Sequence, residues 1–365
     1  MHPVSQIFDL IEGPIRFATV KWAFENGVFD LCEPAVSATE VAAGLKGDPG
    51  RVERVLQTLV AAGFLTVEDA RFSVAAEFAP FVLSSSRRCF ARTFLDLSDT
   101  RHDGIADIGA LAQGRPCDVP KAHFDAAHWQ RQGASLSAFH RAVGSEAMVE
   151  AVSSLPELSM ASQVLDVGGG SLEFARALTA QHAALTVTLF DLPELARTLT
   201  PDPQERVQVV SGDYNDAATL PEGHFDVIWC SMSLYFAKEL AAVLSALHER
   251  LTPGGALASF HEDLSPDRTA PPRHVIGRMM PALRGRDLSF ADGAIASALA
   301  EAGLVEITSH PIETPFGPFR LDAGRRSERL NDFLPHFCFY CLSTVWPMRG
   351  SSPCPACRSG TVHRF

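Results

Sequence analysis

Val164-Leu165-Asp166-Val167-Gly168-Gly169-Gly170-Ser171-Leu172-Glu173-Phe174 is the stretch from which the fold is read. A short apolar strand carrying one acid runs straight into three glycines, and a helix is expected over Leu172 to Leu178. Glycine at a strand-to-helix turn lets a ligand approach the backbone, because no Cβ stands in the way and the N–H groups of a helix start point at it. Three successive glycines also carry an entropy cost that a plain turn does not require. Alone, the turn would equally hold a dinucleotide pyrophosphate. It falls short of the full GxGxxG pattern, since no glycine follows in the next turn and Phe174 stands there instead.

Downstream of the turn, short apolar runs alternate with helical ones, the rhythm of a parallel sheet with helices on both faces. Strands are expected at residues 163–167, 186–190, 207–211, 225–230, 256–261 and 305–310, with a last one near 319–323. The reading is an α/β, Rossmann-like, seven-stranded sheet. Acids recur at successive strand ends: Asp166, then Asp191 in Phe190-Asp191-Leu192-Pro193, then Asp213 in Ser211-Gly212-Asp213-Tyr214. Open α/β sheets bind ligands at the carboxyl ends of their strands. A carboxylate on the second strand suits a ribose diol, and the next one suits an adenine amine with Tyr214 beside the ring. Asp191 also stands where it would cap the helix that follows.

Upstream, from Val4 to about Leu83, apolar residues recur at helical spacing, as in Ile7, Leu10, Ile11 and Ile15, with breaks expected at Gly13-Pro14 and Glu33-Pro34. Ser37-Ala38-Thr39-Glu40 opens one helix and Asp48-Pro49-Gly50 another, whose apolar face is Val52, Val55, Leu56, Leu59 and Val60. Residues 64–67 and 71–74 read as the two strands of a wing, which makes a winged helix. Its second helix balances Arg51 and Arg54 with Asp48 and Glu53, so phosphate partners are few. Dimerisation or covering a substrate is favoured over DNA binding. The formal net charge of -12, with no run of Lys or Arg, points the same way and disfavours a dedicated nucleic-acid binder. No apolar stretch approaches the roughly 20 residues that span a bilayer, and no leader pattern opens the chain, so membrane partners are not expected and the cytoplasm is the default location. The expected domains are 1–90 (winged helix), 91–144 (helical connector, softest between Gly104 and Pro120), 145–326 (Rossmann-like) and 327–365 (a Cys-rich tail).

The ordered runs LDVGGGSLEFARAL, FDLPEL, VQVVSGDYND, FDVIWCSMSLYF and LTPGGALASFHED resemble the S-adenosylmethionine-dependent O-methyltransferases of the plant caffeate and bacterial polyketide type. The resemblance implies a class I methyltransferase domain behind a winged-helix dimerisation domain, and an intertwined homodimer. It implies that Asp166, Gly168, Gly170, Asp191, Asp213 and Tyr214 bind S-adenosylmethionine, Asp166 at the positively charged methionine end, with Cys230 near the adenosine. The expected acceptor is a small, aromatic or secondary-metabolite molecule. A catalytically silent binding partner and a ligand-sensing regulator are the competing readings.

The chain departs from that family at the base. Where the family places a His in a Leu-His-Asp segment after the fourth strand, this chain has Leu234-Tyr235-Phe236. A phenol, with a pKa near 10, is a poor base at neutral pH. Either the acceptor needs little deprotonation, being an acidic phenol, an enol or a thiol, or a carbon is methylated with Tyr235 orienting the ring, or another histidine serves. His261, at the end of the fifth strand, and His274, in the helix that lines the family's acceptor pocket, are the candidates, each balanced by a plain hydrogen-bonding role. Met279 and Met280 fit the same helix but also fit core filler.

Eight cysteines do not suggest a disulfide scaffold, yet four fall in the tail as Cys338-Phe339-Tyr340-Cys341 and, twelve residues on, Cys354-Pro355-Ala356-Cys357. Paired CxxC knuckles suit tetrahedral zinc, which would supply folding energy to a segment with almost no core. Redox disulfides, an iron centre and unligated thiols are the alternatives.

Overall fold

The computed structural model describes residues 2–115 and 126–328, together with two short backbone strands further on. It divides into two compact units, Met1–Arg326 and Ser327–Phe365. In the second unit the strands His336–Cys338 and Ser343–Val345 pair antiparallel. The Cys338 side chain and all of Cys341, Cys354 and Cys357 lie outside the described residues, as do residues 116–125, which take in the end of the stretch expected to be soft.

The first unit opens with α1 (Pro3–Glu25), α2 (Val28–Leu31), strand β1 (Val36–Ser37), α3 (Ala38–Leu45), α4 (Pro49–Ala61), β2 (Leu65–Glu68), β3 (Arg71–Val74) and α5 (Ala79–Val82). The start of α3 is a capping box: Glu40 N–H donates to Ser37 Oγ at 3.3 Å and Ser37 N–H to the Glu40 carboxylate at 2.7 Å. Asp48 caps α4 by accepting from Arg51 N at 2.9 Å. The expected face of α4 is buried through Val52, Leu56 and Leu59 against Val20, Phe29, Val41, Leu65 and Phe72. Two expectations are corrected. β1 joins the wing, giving the order β1-β3-β2. And α1 does not break at Gly13-Pro14: the ring removes the N–H that would meet the Leu10 carbonyl, but Leu10 is exposed, so water can take that carbonyl's place in the ladder.

Helices α6 (Ala91–His102), α7 (Ile108–Ala112), α8 (Ala126–Phe139) and α9 (Ser145–Ser153) connect to the sheet, with the π-helical turn His140–Gly144 between the last two. The sheet strands are β4 (Gln163–Val167), β5 (Thr186–Asp191), β6 (Val207–Ser211), β7 (Phe225–Ser231) and β8 (Leu251–His261). A two-stranded side pair follows, β9 (Asp263–Leu264) with β10 (Phe290–Ala291), and β11 (Val305–Thr314) and β12 (Gly317–Arg325) complete the main sheet. The intervening helices are α10 (Glu173–Gln181), α11 (Pro193–Ala196), α12 (Leu240–His248), α13 (Pro272–Leu283) and α14 (Ala294–Glu301). The seven strands stand in the order β11-β12-β8-β7-β4-β5-β6, parallel from β8 to β6 and antiparallel where β12 meets β8 and β11. β8 begins before its apolar run because a register shift between Phe225 and Val227 lets it pair from Leu251.

Alternate residues of each strand feed opposite cores. Val164, Val187, Val227, Trp229, Ala258 and Phe260 face α9 and α10; Leu165, Val167, Ile228, Cys230 and Leu257 face α12 and α14. On the first face Phe174, Trp229, Phe260 and Phe319 form an aromatic column with centroids 4.7 to 5.7 Å apart. The rim above that face holds the candidate site. Among the described residues no helix is long and apolar enough to cross a membrane.

Candidate active site

The glycine turn leaves β4 with Gly168 and Gly170 at φ 70° and 69°, the left-handed region. A Cβ on Gly168 would lie 2.6 Å from Ser233 Cβ, and one on Gly169 would lie 2.2 Å from Asp166 Oδ2. Only a chain without side chains here lets the Asp166 carboxylate lie against the main chain. Asp166 is 1% exposed, and among the described residues its Oδ2 has no hydrogen-bond partner. Burial, with the Asp191 charge adding to it, pushes this carboxyl well above the usual range. A buried carboxylate oxygen without a partner, in a cavity wall, is set for a cationic or hydrogen-bond-donating ligand.

Asp191 ends β5. Its Oδ2 accepts from Gly170 N–H at 2.9 Å and its Oδ1 from Leu192 N–H at 2.8 Å, and burial still lifts its carboxyl to about 6 against those two bonds. It ties the second strand end to the glycine turn. Asp213 follows β6 and accepts from Asn215 N and Nδ2, both at 2.9 Å. Tyr214 donates its hydroxyl to the Ser233 carbonyl at 2.8 Å, and burial pushes its phenol up. These residues and the three glycines line one cavity of about 950 Å³. Cys230 does not join them. Strand alternation turns its side chain into the α12–α14 core, where it is 0% exposed and its thiol is pushed up by burial, while Ser231, Met232 and Ser233 take the cavity wall.

The cavity continues from the glycine turn into an aromatic chamber. Trp129 and Phe139 of α8, Phe236, Phe316 and Phe319 line it, as do Phe24, Phe64, Phe78 and Phe94 from the N-terminal region. His140, in the π-helical turn, lines it too, with Nδ1 2.6 Å from Ser171 Oγ, and burial pushes its imidazole down to about 4. A helix wound to five residues per bond at this place fits the frequent use of π turns at sites.

Tyr235, Glu262 and Arg278 meet on the chamber wall. The Tyr235 hydroxyl donates to Glu262 Oε2, Arg278 donates to Glu262 Oε1, and the guanidinium lies 4.7 Å over the Tyr235 ring. Burial pushes the Tyr235 phenol up, which keeps the proton on the hydroxyl that donates to Glu262. His261 is corrected as a candidate base. Its Nε2 accepts from Ser233 N–H at 3.0 Å and Leu234 N–H at 2.9 Å, which places its proton on Nδ1, 2.8 Å from Ser259 Oγ. With both nitrogens engaged, the ring buried and its pKa pushed down to about 3, it pins the turn that carries Tyr235. His274 does line the chamber; its Nε2 donates to the Pro318 carbonyl at 2.6 Å and its ring meets Phe319 edge-on. Met279 is exposed and Met280 buried, and neither lines the cavity.

Glu262 is not among the residues the sequence points to; it stands directly after His261. Counting alternation from Phe260, on the α9–α10 face of the sheet, places Glu262 and not His261 on the chamber's side. The α8 wall carried no signal of its own, since its Ala, Ser and Gln content reads as an ordinary helix.

Comparison with known proteins agrees with this geometry. Residues 122–309 match a methyltransferase-domain family, and residues 8–84 match the O-methyltransferase dimerisation domain. The tetracenomycin polyketide synthesis 8-O-methyl transferase TcmO of Streptomyces glaucescens is 24% identical over 173 residues, 45% of this chain and 49% of that protein, so the match spans about half of it. Human acetylserotonin O-methyltransferase is 24% identical over 271 residues, 68% of this chain and 77% of its own. Among solved structures, an O-methyltransferase family protein from Burkholderia thailandensis superposes with a TM-score of 0.72 at 23% identity, covering 90% of this chain and 99% of that one. Human N-acetylserotonin methyltransferase in complex with SAM gives 0.72 at 17% identity, covering 90% and 98%. With a methyltransferase domain over half its length and the matching dimerisation domain ahead of it, the chain belongs to the S-adenosylmethionine-dependent O-methyltransferase family.

Proposed function

We propose that this chain transfers a methyl group from S-adenosylmethionine to an oxygen of a small aromatic acceptor, working as a homodimer. The observation that carries the reading is the single cavity that joins the glycine turn and its acids to an aromatic chamber. The cofactor's chemistry fits the residues present. The unpartnered Asp166 Oδ2 suits the ammonium of its methionine end, Asp191 suits the ribose hydroxyls, and Asp213 and Tyr214 flank the adenine. When bound, the sulfonium would supply an electrophilic methyl carbon at the mouth of the chamber.

The rest is positioning and proton handling. The chamber's rings stack an aromatic acceptor and exclude water, which holds the nucleophile near its target. Glu262 is the group placed to take the acceptor's proton: Arg278 donates to one carboxylate oxygen and the Tyr235 hydroxyl to the other, and together they aim it. His274 borders the acceptor and orients the loop through the Pro318 carbonyl.

Calorimetric titration with S-adenosylhomocysteine is the test, on wild type and Asp191→Ala, followed by transfer of labelled methyl to a panel of phenols. Micromolar binding that the variant loses, with label on an oxygen, is the expected result. Folded protein that does not bind overturns the reading, and binding without transfer to any acceptor leaves a silent partner. For the tail, spacing alone supports zinc at Cys338, Cys341, Cys354 and Cys357. One zinc per chain by elemental analysis, lost in Cys354→Ser/Cys357→Ser, is expected; metal-free native protein would sink it.

A further inference from the structure

We propose that the acceptor is itself an acid, an aromatic molecule whose carboxylate is gripped by Arg101 on the wall that α6 and α13 make together. The inference rests on the methyltransferase reading above and specifies its substrate class.

Residues 273, 274, 277, 278 and 281 of α13 form one helical stripe, and all five line the chamber. Two are arginines, Arg273 and Arg278. Arg101, in the last turn of α6, crosses to this stripe at Gly277: a Cβ there would lie 3.1 Å from the Arg101 Cζ. The missing side chain is what makes room for the guanidinium. Arg286 lines the same chamber, 5.7 Å over the Phe236 ring.

The acids do not balance this group. Apart from Asp166, Asp191 and Asp213 at the glycine-turn end, Glu262 is the only acid among the described lining residues, and Tyr235 and Arg278 occupy both its oxygens. Arg273 donates to the Pro315 carbonyl at 3.0 Å. Among the described residues Arg101 has no hydrogen bond and no ion pair, though it is exposed and lines the cavity. Although the residue as a whole is exposed, the wall around its guanidinium desolvates that head group, and this, then repulsion from Arg278 and Arg273, lowers its proton affinity. A cation in the last turn of α6 is favoured by the helix dipole, but that accounts neither for its lying across Gly277 nor for the two arginines beside it. A planar guanidinium with free donors among like charges is matched by a planar carboxylate, held by two parallel N–H···O bonds. The aromatic chamber next to it takes the ring that bears the carboxylate.

Salicylate, 1-hydroxy-2-naphthoate and 3-hydroxyanthracene-2-carboxylate, each paired with its carboxamide, test this by calorimetry with S-adenosylhomocysteine already bound. At least one acid should bind about ten- to hundred-fold more tightly than its amide, as charge-assisted bonds imply. Arg101→Met should abolish that preference while leaving S-adenosylhomocysteine affinity unchanged, which also reports that the variant is folded. Arg101→Lys, which keeps the charge and loses the fork, should retain part of it. Equal binding of acid and amide, no binding of any acid, or a preference that survives in Arg101→Met overturns the proposal. Loss of S-adenosylhomocysteine binding by wild type would instead overturn the methyltransferase reading, so the two failures are distinct.

Discussion

Asp191 is buried with two backbone donors and still titrates at about 6 instead of 3.8. A carboxyl whose native pKa is raised binds its proton more tightly when folded, so its contribution to stability is present below about 4 and is lost as pH rises to about 6. At about 1.4 kcal/mol per pK unit the loss is about 3 kcal/mol. His140 and His261, pushed down to about 4 and about 3, tilt stability the other way over the same range, since protonating them favours the unfolded chain. The Asp191 effect is therefore the difference between wild type and Asp191→Asn in urea titrations of ligand-free protein from pH 4 to 7; parallel curves would show no such coupling. The chamber residues separate in the same way. Glu262→Gln should lower kcat by about 100-fold or more with S-adenosylhomocysteine affinity unchanged, because it removes the proton acceptor, and the charge paired with Arg278, at the acceptor end only. His261→Ala should instead cost about 2–4 kcal/mol of stability, since it leaves the Ser233 and Leu234 N–H groups buried without their acceptor. If His261→Ala were as stable as wild type and only slow, the assignment of these two neighbours would be reversed. Residue types told where acids and imidazoles lie, but not which of two adjacent side chains faces the chamber; that depends on the strand's phase against a core formed by distant segments.

The glycine turn is the element on which the cofactor end depends, and it was the part of the chain most legible in advance. Strand, turn and helix there are local patterns, as are the acids at successive strand ends, so β4, β6 and β3 fall on the residues their patterns gave. What was not legible is what nonlocal pairing decides: the extension of β8 back to Leu251, the third strand of the wing, and α1 running through Pro14. Cys230 belongs with these, because its nearness to the site in sequence says nothing about which face of β7 it takes. The turn's geometry makes a prediction of its own. Gly168→Ala would need φ near 70° and would drive a Cβ to 2.6 Å from that of Ser233, on the same loop that carries Tyr235. It should destabilise by about 1–3 kcal/mol and weaken S-adenosylhomocysteine binding in calorimetry. Gly63→Ala, with φ 85° but nothing within 4 Å of the added Cβ, should cost stability through backbone strain alone and leave ligand affinity intact. Equal affinity in both variants would mean that the close approach at Ser233 has no bearing on the ligand.

At the scale of the whole molecule, α1 connects assembly to the cavity. Its outer face leaves Val4, Ile7, Phe8, Ile11 and Ile15 exposed at 47%, 57%, 58%, 62% and 62%, an apolar stripe at helical spacing that an isolated chain has no reason to keep in water. Further along the same helix, Val20 and Phe24 line the chamber. A partner that covers the stripe would hold this helix, and with it one wall of the acceptor end, in place. The double variant Ile7→Asp/Ile11→Asp places two charges in the stripe, and burying them unpaired is costly enough to favour separate chains. Light scattering should then give the mass of one chain where wild type gives two. Because the glycine turn lies in the other domain, S-adenosylhomocysteine affinity should persist in the monomer while acceptor affinity falls. A variant that remains a dimer would place the interface elsewhere, and a monomer that binds acceptor as wild type does would show that the chamber wall stands without a partner.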